Sequence, residues 1–370
     1  MKTIGIIAEY NPFHNGHLYH IDKIKEQYPD SIIILALNGY FLERGEISIL
    51  TKEDKTKIAL ENNIDIVLEL PTLFGTQSAD TFADKSISIL NNFNVDTIIF
   101  GSECNSIDIL ESIAKKQLSE EFQENVKTYL NDGINYPTAL AKALNIDFTF
   151  NPNDLLGISY IKSAIINNYN IEFLTIKRTN SYHDIKSNEK IISASNIREK
   201  LKNNIDIKIY IPDSVYTKII NIHTDTYFKL LKAKIITDED LDTYLDVDEG
   251  IEYRLKKYIN EATSIDEFMN LIKTKRYTYN KLNRMFIHII LGLKKDYPNE
   301  EYLRILGFNN KGQEYLKKNK IKENYKGTRC YHMELKGSCL YDMLSNQDTY
   351  HLEIKNRPLF KAEEKDLQTK

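Results

Sequence analysis

The chain opens on a short apolar run over residues 4–8, β-branched and uncharged, that gives way at once to polar and turn-forming residues. A run of that length bounded by turn signals predicts a buried strand. Beyond Pro12, the apolar residues Leu18, Ile21 and Ile24 recur at helical spacing and predict a helix over 16–27. Residues 32–37 predict a second buried strand that ends at Asn38-Gly39. Thr51 is placed to cap a helix running to residue 62, and 66–70 predict a third strand closed by Pro71. An amphipathic stretch over 78–90 predicts a helix, 95–100 a fourth strand, 106–145 two or three helices and 171–176 a fifth strand. Between the last two, Asn151-Pro152-Asn153-Asp154 opens a helix to about 167, with Asn153 or Asp154 as its N-cap. Strands that alternate with helices over short connections predict a parallel sheet in an α/β domain.

Near residue 200 the alternation stops. Segments 214–222, 251–260, 264–273 and 279–292 carry helical periodicity and predict a mainly helical C-terminal domain, with one candidate strand at 302–306. A length of 370 residues exceeds one comfortable hydrophobic core, which also predicts two domains. Hydrophobic content of 42% beside 28% charged residues is ordinary for a soluble globular protein. No stretch approaches the roughly eighteen apolar residues of a membrane span and no basic leader precedes an apolar run, so a cytoplasmic protein without a membrane partner is expected. Cys104, Cys330 and Cys339 have neither metal-ligand spacing nor a disulfide framework, and no metal ligands are assigned.

A net charge of −4 argues against a protein that coats nucleic acid indiscriminately, while leaving room for a local basic face. Two runs could supply one. Residues 272–284 carry Lys273, Lys275, Arg276, Lys281 and Arg284 with two tyrosines and no acid, and 311–326 carry six lysines against two glutamates. Cations interleaved with aromatics suit RNA backbone and stacked bases; a solvated helix face is the plainer account.

The candidate chemistry lies where the first strand turns into the first helix. A helix start aims free backbone N–H groups and the positive end of its dipole at the strand end, where an anion is favoured. His14 and His17 sit three apart with Gly16 between them, so both imidazoles can face one bound group. Two imidazole donors on a phosphate whose charge grows during in-line displacement would stabilise the transition state above the ground state, although such a pair can also be an ordinary cap. Later strand ends carry Gly101, the pair Lys177-Arg178, and Ser193, Ser195 and Arg198 at a helix start. A turn glycine, a solvated cation pair and a serine cap are the alternatives; hydroxyls and an arginine together at a strand end favour a phosphate site.

The string over residues 5–17, G-I-I-A-E-Y-N-P-F-H-N-G-H, resembles the HxGH nucleotidyltransferase superfamily, and more closely its tRNA(Met) cytidine acetate ligase family. That resemblance is supported by F-G-S-E at 100–103, N-D-L-L-G at 153–157, I-S-A-S-N-I-R at 192–198 and K-R-Y-T at 275–278. It implies a Rossmann-like nucleotidyltransferase domain over 1–200 that binds ATP and carries catalysis, followed by a mainly helical tRNA-binding domain over 201–370. Acetate would be joined to AMP from ATP with release of pyrophosphate, and the acetyl group passed to the wobble cytidine of elongator tRNA(Met). By the same resemblance His14 and His17 are catalytic. ATP would be bound by Ile7, Ala8, Glu9, Tyr10, Asn11, Pro12, Phe13, His14, Asn15, Gly16, His17, Leu18, Tyr19, His20, Gly101, Asn153, Arg178, Ser193, Ser195 and Arg198. The tRNA face would comprise Lys273, Lys275, Arg276, Lys281 and Arg284, and Mg²⁺ would travel with ATP through phosphates and water. The residues alone also admit a small-molecule adenylyltransferase of cofactor biosynthesis, or a non-catalytic RNA-binding protein on the same fold.

Overall fold

The computed structural model describes residues 2–134, 136–145, 151–178, 190–274, 276–297, 299–355 and 357–362. The fold is α/β. Its strands are β1 (Thr3–Ala8), β2 (Ile32–Asn38), β3 (Ile66–Leu70), β4 (Thr97–Ser102), β5 (Glu172–Lys177), β6 (Ile305–Asn309) and β7 (Leu359–Lys361), arranged in one sheet in the order β5-β4-β1-β2-β3-β6-β7. The pairs β1–β4, β4–β5 and β6–β7 run parallel, whereas β3 and β6 run antiparallel. Every residue of β2 is buried, as expected of a strand covered on both faces.

The described chain divides into two compact units, each assembled from separate stretches. The first comprises Met1–Ile7, His14–Ala36 and Ala79–Pro212; the second comprises Ala8–Phe13, Leu37–Ser78 and Asp213–Lys370.

In the first unit β4 pairs with β1 and with β5, and the β4–β5 register sets Gly101 beside Ile176 and Ser102 beside Lys177. The two strands therefore end level with each other, and the Arg178 N–H donates to the Ser102 carbonyl at 3.0 Å. The helix Pro152–Ile166 packs closely on β4 because position 157 is glycine: an added Cβ would lie 2.2 Å from the Phe100 ring. This helix begins at Asn151, earlier than a cap at Asn153 or Asp154 would place it, since Pro152 is preorganised for the first helical position. The Asp154 side chain turns instead toward the end of β4, where it accepts the Ser102 hydroxyl.

The second unit is built on an apolar core that includes Phe41, Phe74, Phe228 and Leu344, with Phe268 and Phe286 stacked at 5.5 Å. Beside it lies a buried ionic cluster. Lys52 reaches Glu69, Glu334 (3.1 Å) and Glu353 (2.6 Å), while Arg304 meets Glu69 at 2.9 Å and Glu353 at 2.6 Å. Buried charges persist only when paired in this way, and the pairing ties β3 and Arg304 to the helices Arg329–Ser345 and Tyr350–Lys355.

Apart from β6 and β7, the described C-terminal half is mainly helical, but the helix over 214–222 shrinks to Asp213–Tyr216, and the Ile220 N–H bonds instead to the Ile49 carbonyl at 3.0 Å. Helices Thr224–Thr237 and Arg329–Ser345 are not announced by the sequence periodicity. The second buries Glu334, Ser338 and Ser345, so its apolar stripe is interrupted on the face that meets the core.

Candidate active site

The helix Asn15–Gln27 starts as the histidine pair demands. His14 is its N-cap, in extended conformation, and its Nδ1 accepts the Gly16 N–H at 3.0 Å; reciprocally, His17 Nδ1 accepts the His14 N–H at 3.2 Å. The imidazoles thus form a capping box and lie 3.9 Å apart. Glycine at 16 is required by this closeness, because a Cβ there would fall 2.7 Å from His14 Cε1. Both Nδ1 atoms are acceptors, so each neutral ring carries its proton on Nε2.

Neutral rings are what the surroundings favour. Burial, then Arg178 and Arg198, hold His14 down at about 3. Burial, then His14, His20 and Arg178, hold His17 well below the ordinary imidazole value. Burial, then Arg178, brings His20 to about 4, and its Nε2 is buried without a hydrogen-bond partner among the described residues. The first unit therefore gathers His14, His17, His20, Arg178 and Arg198 into one electropositive neighbourhood rich in N–H donors. Asn15 fastens it to the next segment by donating from Nδ2 to the carbonyls of Lys190 (2.9 Å) and Ile209 (3.0 Å).

The strand-end residues join the same unit. Arg178 lies over Gly101, where a methyl would meet its Cγ at 3.4 Å, an ordinary contact, so packing alone does not require glycine there. The Arg178 Nε is 3.6 Å from a Glu103 oxygen, and Asn153 Nδ2 donates to that same oxygen at 2.5 Å. Asp154, wholly buried, accepts the Ser102 hydroxyl at 2.6 Å and the N–H groups of Glu103 and Cys104 at 3.1 and 3.3 Å. Ser193 caps the helix Ala194–Lys202 by accepting the Asn196 N–H at 3.3 Å, and Arg198 reaches the Ser195 hydroxyl at 3.5 Å.

Residues of the 7–13 stretch sit differently. Ile7 and Ala8 are half-buried, whereas Tyr10, Asn11, Pro12 and Phe13 are buried, the Tyr10 and Phe13 rings meeting edge to face at 4.8 Å. Glu9 accepts from Asn38 Nδ2 at 3.0 Å and from the Glu43 N–H at 2.7 Å, with burial raising its pKa, while Asn11 Oδ1 accepts the Ile49 N–H at 2.9 Å. Lys55 donates to the carbonyls of Glu9, Asn38 and Gly39 at 3.0, 2.7 and 2.5 Å. Leu18 and Tyr19 are half-buried on the helix after His17.

Of the basic residues in 272–284, Lys273 is exposed, Arg276 is exposed and paired with Glu249 at 3.0 Å, and Lys281 lies 4.7 Å from the centre of the Tyr277 ring. Arg284 is mostly buried between Glu43 and Asp246, each at 3.6 Å. Lys275 lies outside the described residues. In the second run Lys317, Lys318, Lys320, Lys322 and Lys326 are exposed.

The sequence does not single out Glu103 or Asp154 as site residues. Glu103 follows Gly101-Ser102 at a strand end, which is a usable signal; Asp154 reads as a helix cap, a pattern that does not disclose its buried partners.

Fold and site together define a nucleotidyltransferase of the histidine-motif kind, and residues 1–366 match the family described as HIGH Nucleotidyl Transferase. A tRNA(Met) cytidine acetate ligase of Caldicellulosiruptor bescii is 40% identical over 346 residues, covering 88% of this chain and 86% of that one. A protein of the same name from Mycoplasma mobile is 38% identical, with 79% of this chain and all of that one covered. Among solved structures, Thermotoga maritima TmcAL superposes with a TM-score of 0.87 at 26% identity without ligand, and of 0.85 at 25% identity bound with alpha-thio ATP. Both comparisons cover 98% of this chain and 100% of the other. The chain belongs to the tRNA(Met) cytidine acetate ligase family of HIGH nucleotidyl transferases.

Proposed function

We propose that the protein is an ATP-dependent ligase that activates acetate and acetylates the wobble cytidine of elongator tRNA(Met). The observation that carries this reading is the His14–His17 capping box, whose two neutral imidazoles carry their protons on Nε2, with Arg178 and Arg198 close enough to His14 to lower its pKa. An acetate oxygen attacks the α-phosphorus of ATP; the bond to the bridging oxygen breaks and pyrophosphate leaves. His14 and His17 donate to the phosphoryl oxygens as charge builds on them, and Arg178 and Arg198, with Ser193 and Ser195, hold the triphosphate. Gly101 leaves room for the nucleotide beside Arg178. The exocyclic amine of cytidine then attacks the acetyl carbonyl, AMP departs and the amine loses a proton, giving N4-acetylcytidine. Adenylation is what makes acetate a competent donor, since a free carboxylate has no adequate leaving group.

The first unit's site offers imidazole and guanidinium groups, and its carboxylates Glu103 and Asp154 are engaged by Asn153, Ser102 and backbone N–H groups, so Mg²⁺ would arrive on ATP, held by phosphate oxygens and water. Lys273, Lys275, Arg276 and Lys281 would contact the tRNA backbone, and a cytoplasmic location follows from that substrate. Among the described residues no helix is long and apolar enough to cross a membrane. The test is pyrophosphate release from ATP with and without acetate, followed by transfer of labelled acetate to bulk tRNA. Acetate-dependent release and labelled cytidine are expected; release that ignores acetate would indicate a cofactor adenylyltransferase, and no release would leave an RNA-binding protein.

A further inference from the structure

Among the described residues, the side chains of Asn153 and Arg178 approach Glu103, and they differ in what a ligand could take from them. A carboxylate only accepts hydrogen bonds, so the contact at 2.5 Å requires the Asn153 amide to turn its NH₂ toward Glu103. The Asn153 oxygen is then the atom left for a ligand, and it can only accept. The other Glu103 oxygen accepts the Asp154 N–H at 3.2 Å, and the buried Asp154 carboxylate holds the Glu103 and Cys104 N–H groups in return. This reciprocal clamp between the end of β4 and the start of the helix Pro152–Ile166 keeps Glu103 from turning away. Arg178 Nε stands 3.6 Å from the same carboxylate, at ion-pair distance and without a hydrogen bond among the described residues.

We infer that Glu103 is a positioning residue that fixes the Asn153 amide so that its oxygen accepts from a hydrogen-bond donor on the nucleoside part of the nucleotide. The inference rests on the ATP reading above. Phosphate groups at neutral pH offer no donor to an amide oxygen. An adenine nucleoside offers three: two ribose hydroxyls and the exocyclic amine.

The experiment measures kcat and KM for pyrophosphate release by wild type, Glu103→Gln, Asn153→Ala and the double variant that combines the two substitutions. The nucleotides are ATP, 2′-deoxyATP, 3′-deoxyATP and purine riboside triphosphate, which lacks the amine. With wild type, one analogue is expected to show a KM raised about tenfold, the size of one lost hydrogen bond. Glu103→Gln frees the amide to rotate and should raise KM for ATP about tenfold, with the loss falling on KM rather than kcat. It should cause no further loss on that one analogue, and the double variant should be no worse than Asn153→Ala. Equal losses on all four nucleotides would reduce Glu103 to a structural role and overturn the inference. Wild type indifferent to all three deletions would overturn it even if Glu103→Gln failed to fold. Wild type that uses no ATP at all would instead refute the ATP reading.

Discussion

His17 Nδ1 accepts the backbone N–H of His14 at 3.2 Å, and through that bond each histidine of the pair helps to hold the other. The same contact caps the helix and fixes the tautomer, so a local folding rule also supplies the proton position that phosphoryl chemistry needs. Replacing either residue therefore removes a donor and half of a capping box.

His14→Ala and His17→Ala should each lower acetate-dependent pyrophosphate release by about a hundred- to a thousandfold, the size expected for one preorganised donor to a developing charge. Loss of the cap should cost only about 1 kcal/mol, so the variants should stay folded. Circular dichroism melts run beside the assay separate the two effects. Turnover at the wild-type rate from either variant would remove that histidine from the chemistry.

Acidification should weaken the fold through these rings. The folded-state values of His14 (about 3) and His20 (about 4) lie below the ordinary imidazole value, so the unfolded chain binds more protons as pH falls below about 6.5. Stability is then intact above that pH and declines toward pH 4. His20→Asn removes one such group without breaking a hydrogen bond at Nε2, and should flatten the decline by up to about 1.4 kcal/mol per pH unit. Denaturant midpoints from pH 7 to 4.5 measure it; parallel curves for the two proteins would contradict the assignment.

Lys52 stands among three buried carboxylates in the second unit, Glu69, Glu334 and Glu353. Burial holds Glu334 up near 7 despite that cation, which marks the cluster as already rich in negative charge. Lys52→Met should cost about 3 to 5 kcal/mol, because it strands buried charge that water cannot reach. Adding Glu334→Gln should recover part of the loss, an interaction that thermal melts of the single and double variants would show. Purely additive losses would mean that the cluster is not coupled.

How much of this was readable in advance follows from what periodicity can and cannot register. The apolar runs that became β1 to β5 and the histidine pair at the first strand end are contiguous, so they announce themselves; Thr51 capping its helix through the Asp54 N–H at 3.0 Å is local in the same way. What stayed hidden is non-local. Glu103 meets Asn153 across fifty positions, and Lys52 meets Glu334 across far more, so residues that look solvated in sequence become buried partners. The discontinuity of the two units is of the same kind: residues 8–13 group with 37–78 and 213–370, and a linear pattern has no means to express that.

The basic run of 272–284 tests which cations serve RNA. Lys273 and Arg276 are exposed and Lys281 packs its ammonium against the Tyr277 ring, whereas Arg284 sits between Glu43 and Asp246 with its side chain 15% exposed. A phosphate contact must be reachable by the backbone of a folded RNA and must release counterions, which an already paired and largely buried guanidinium does poorly. The prediction therefore divides the run. Lys273→Ala with Arg276→Ala should weaken tRNA binding and reduce the slope of log affinity against log salt by about one unit per lost contact. Acetate-dependent pyrophosphate release without tRNA should persist, while acetyl transfer falls. Arg284→Ala should instead leave the Glu43 and Asp246 carboxylates without their cation, lowering the melting temperature with little change in the salt slope. Filter binding of tRNA over a range of salt, beside both half-reactions and a thermal melt for each variant, gives all three readouts. An unchanged salt slope for the double variant would make this run an ordinary solvated face. A slope changed by Arg284→Ala alone, with the melt unmoved, would place the RNA contact at the residue that its ion pairs argue against.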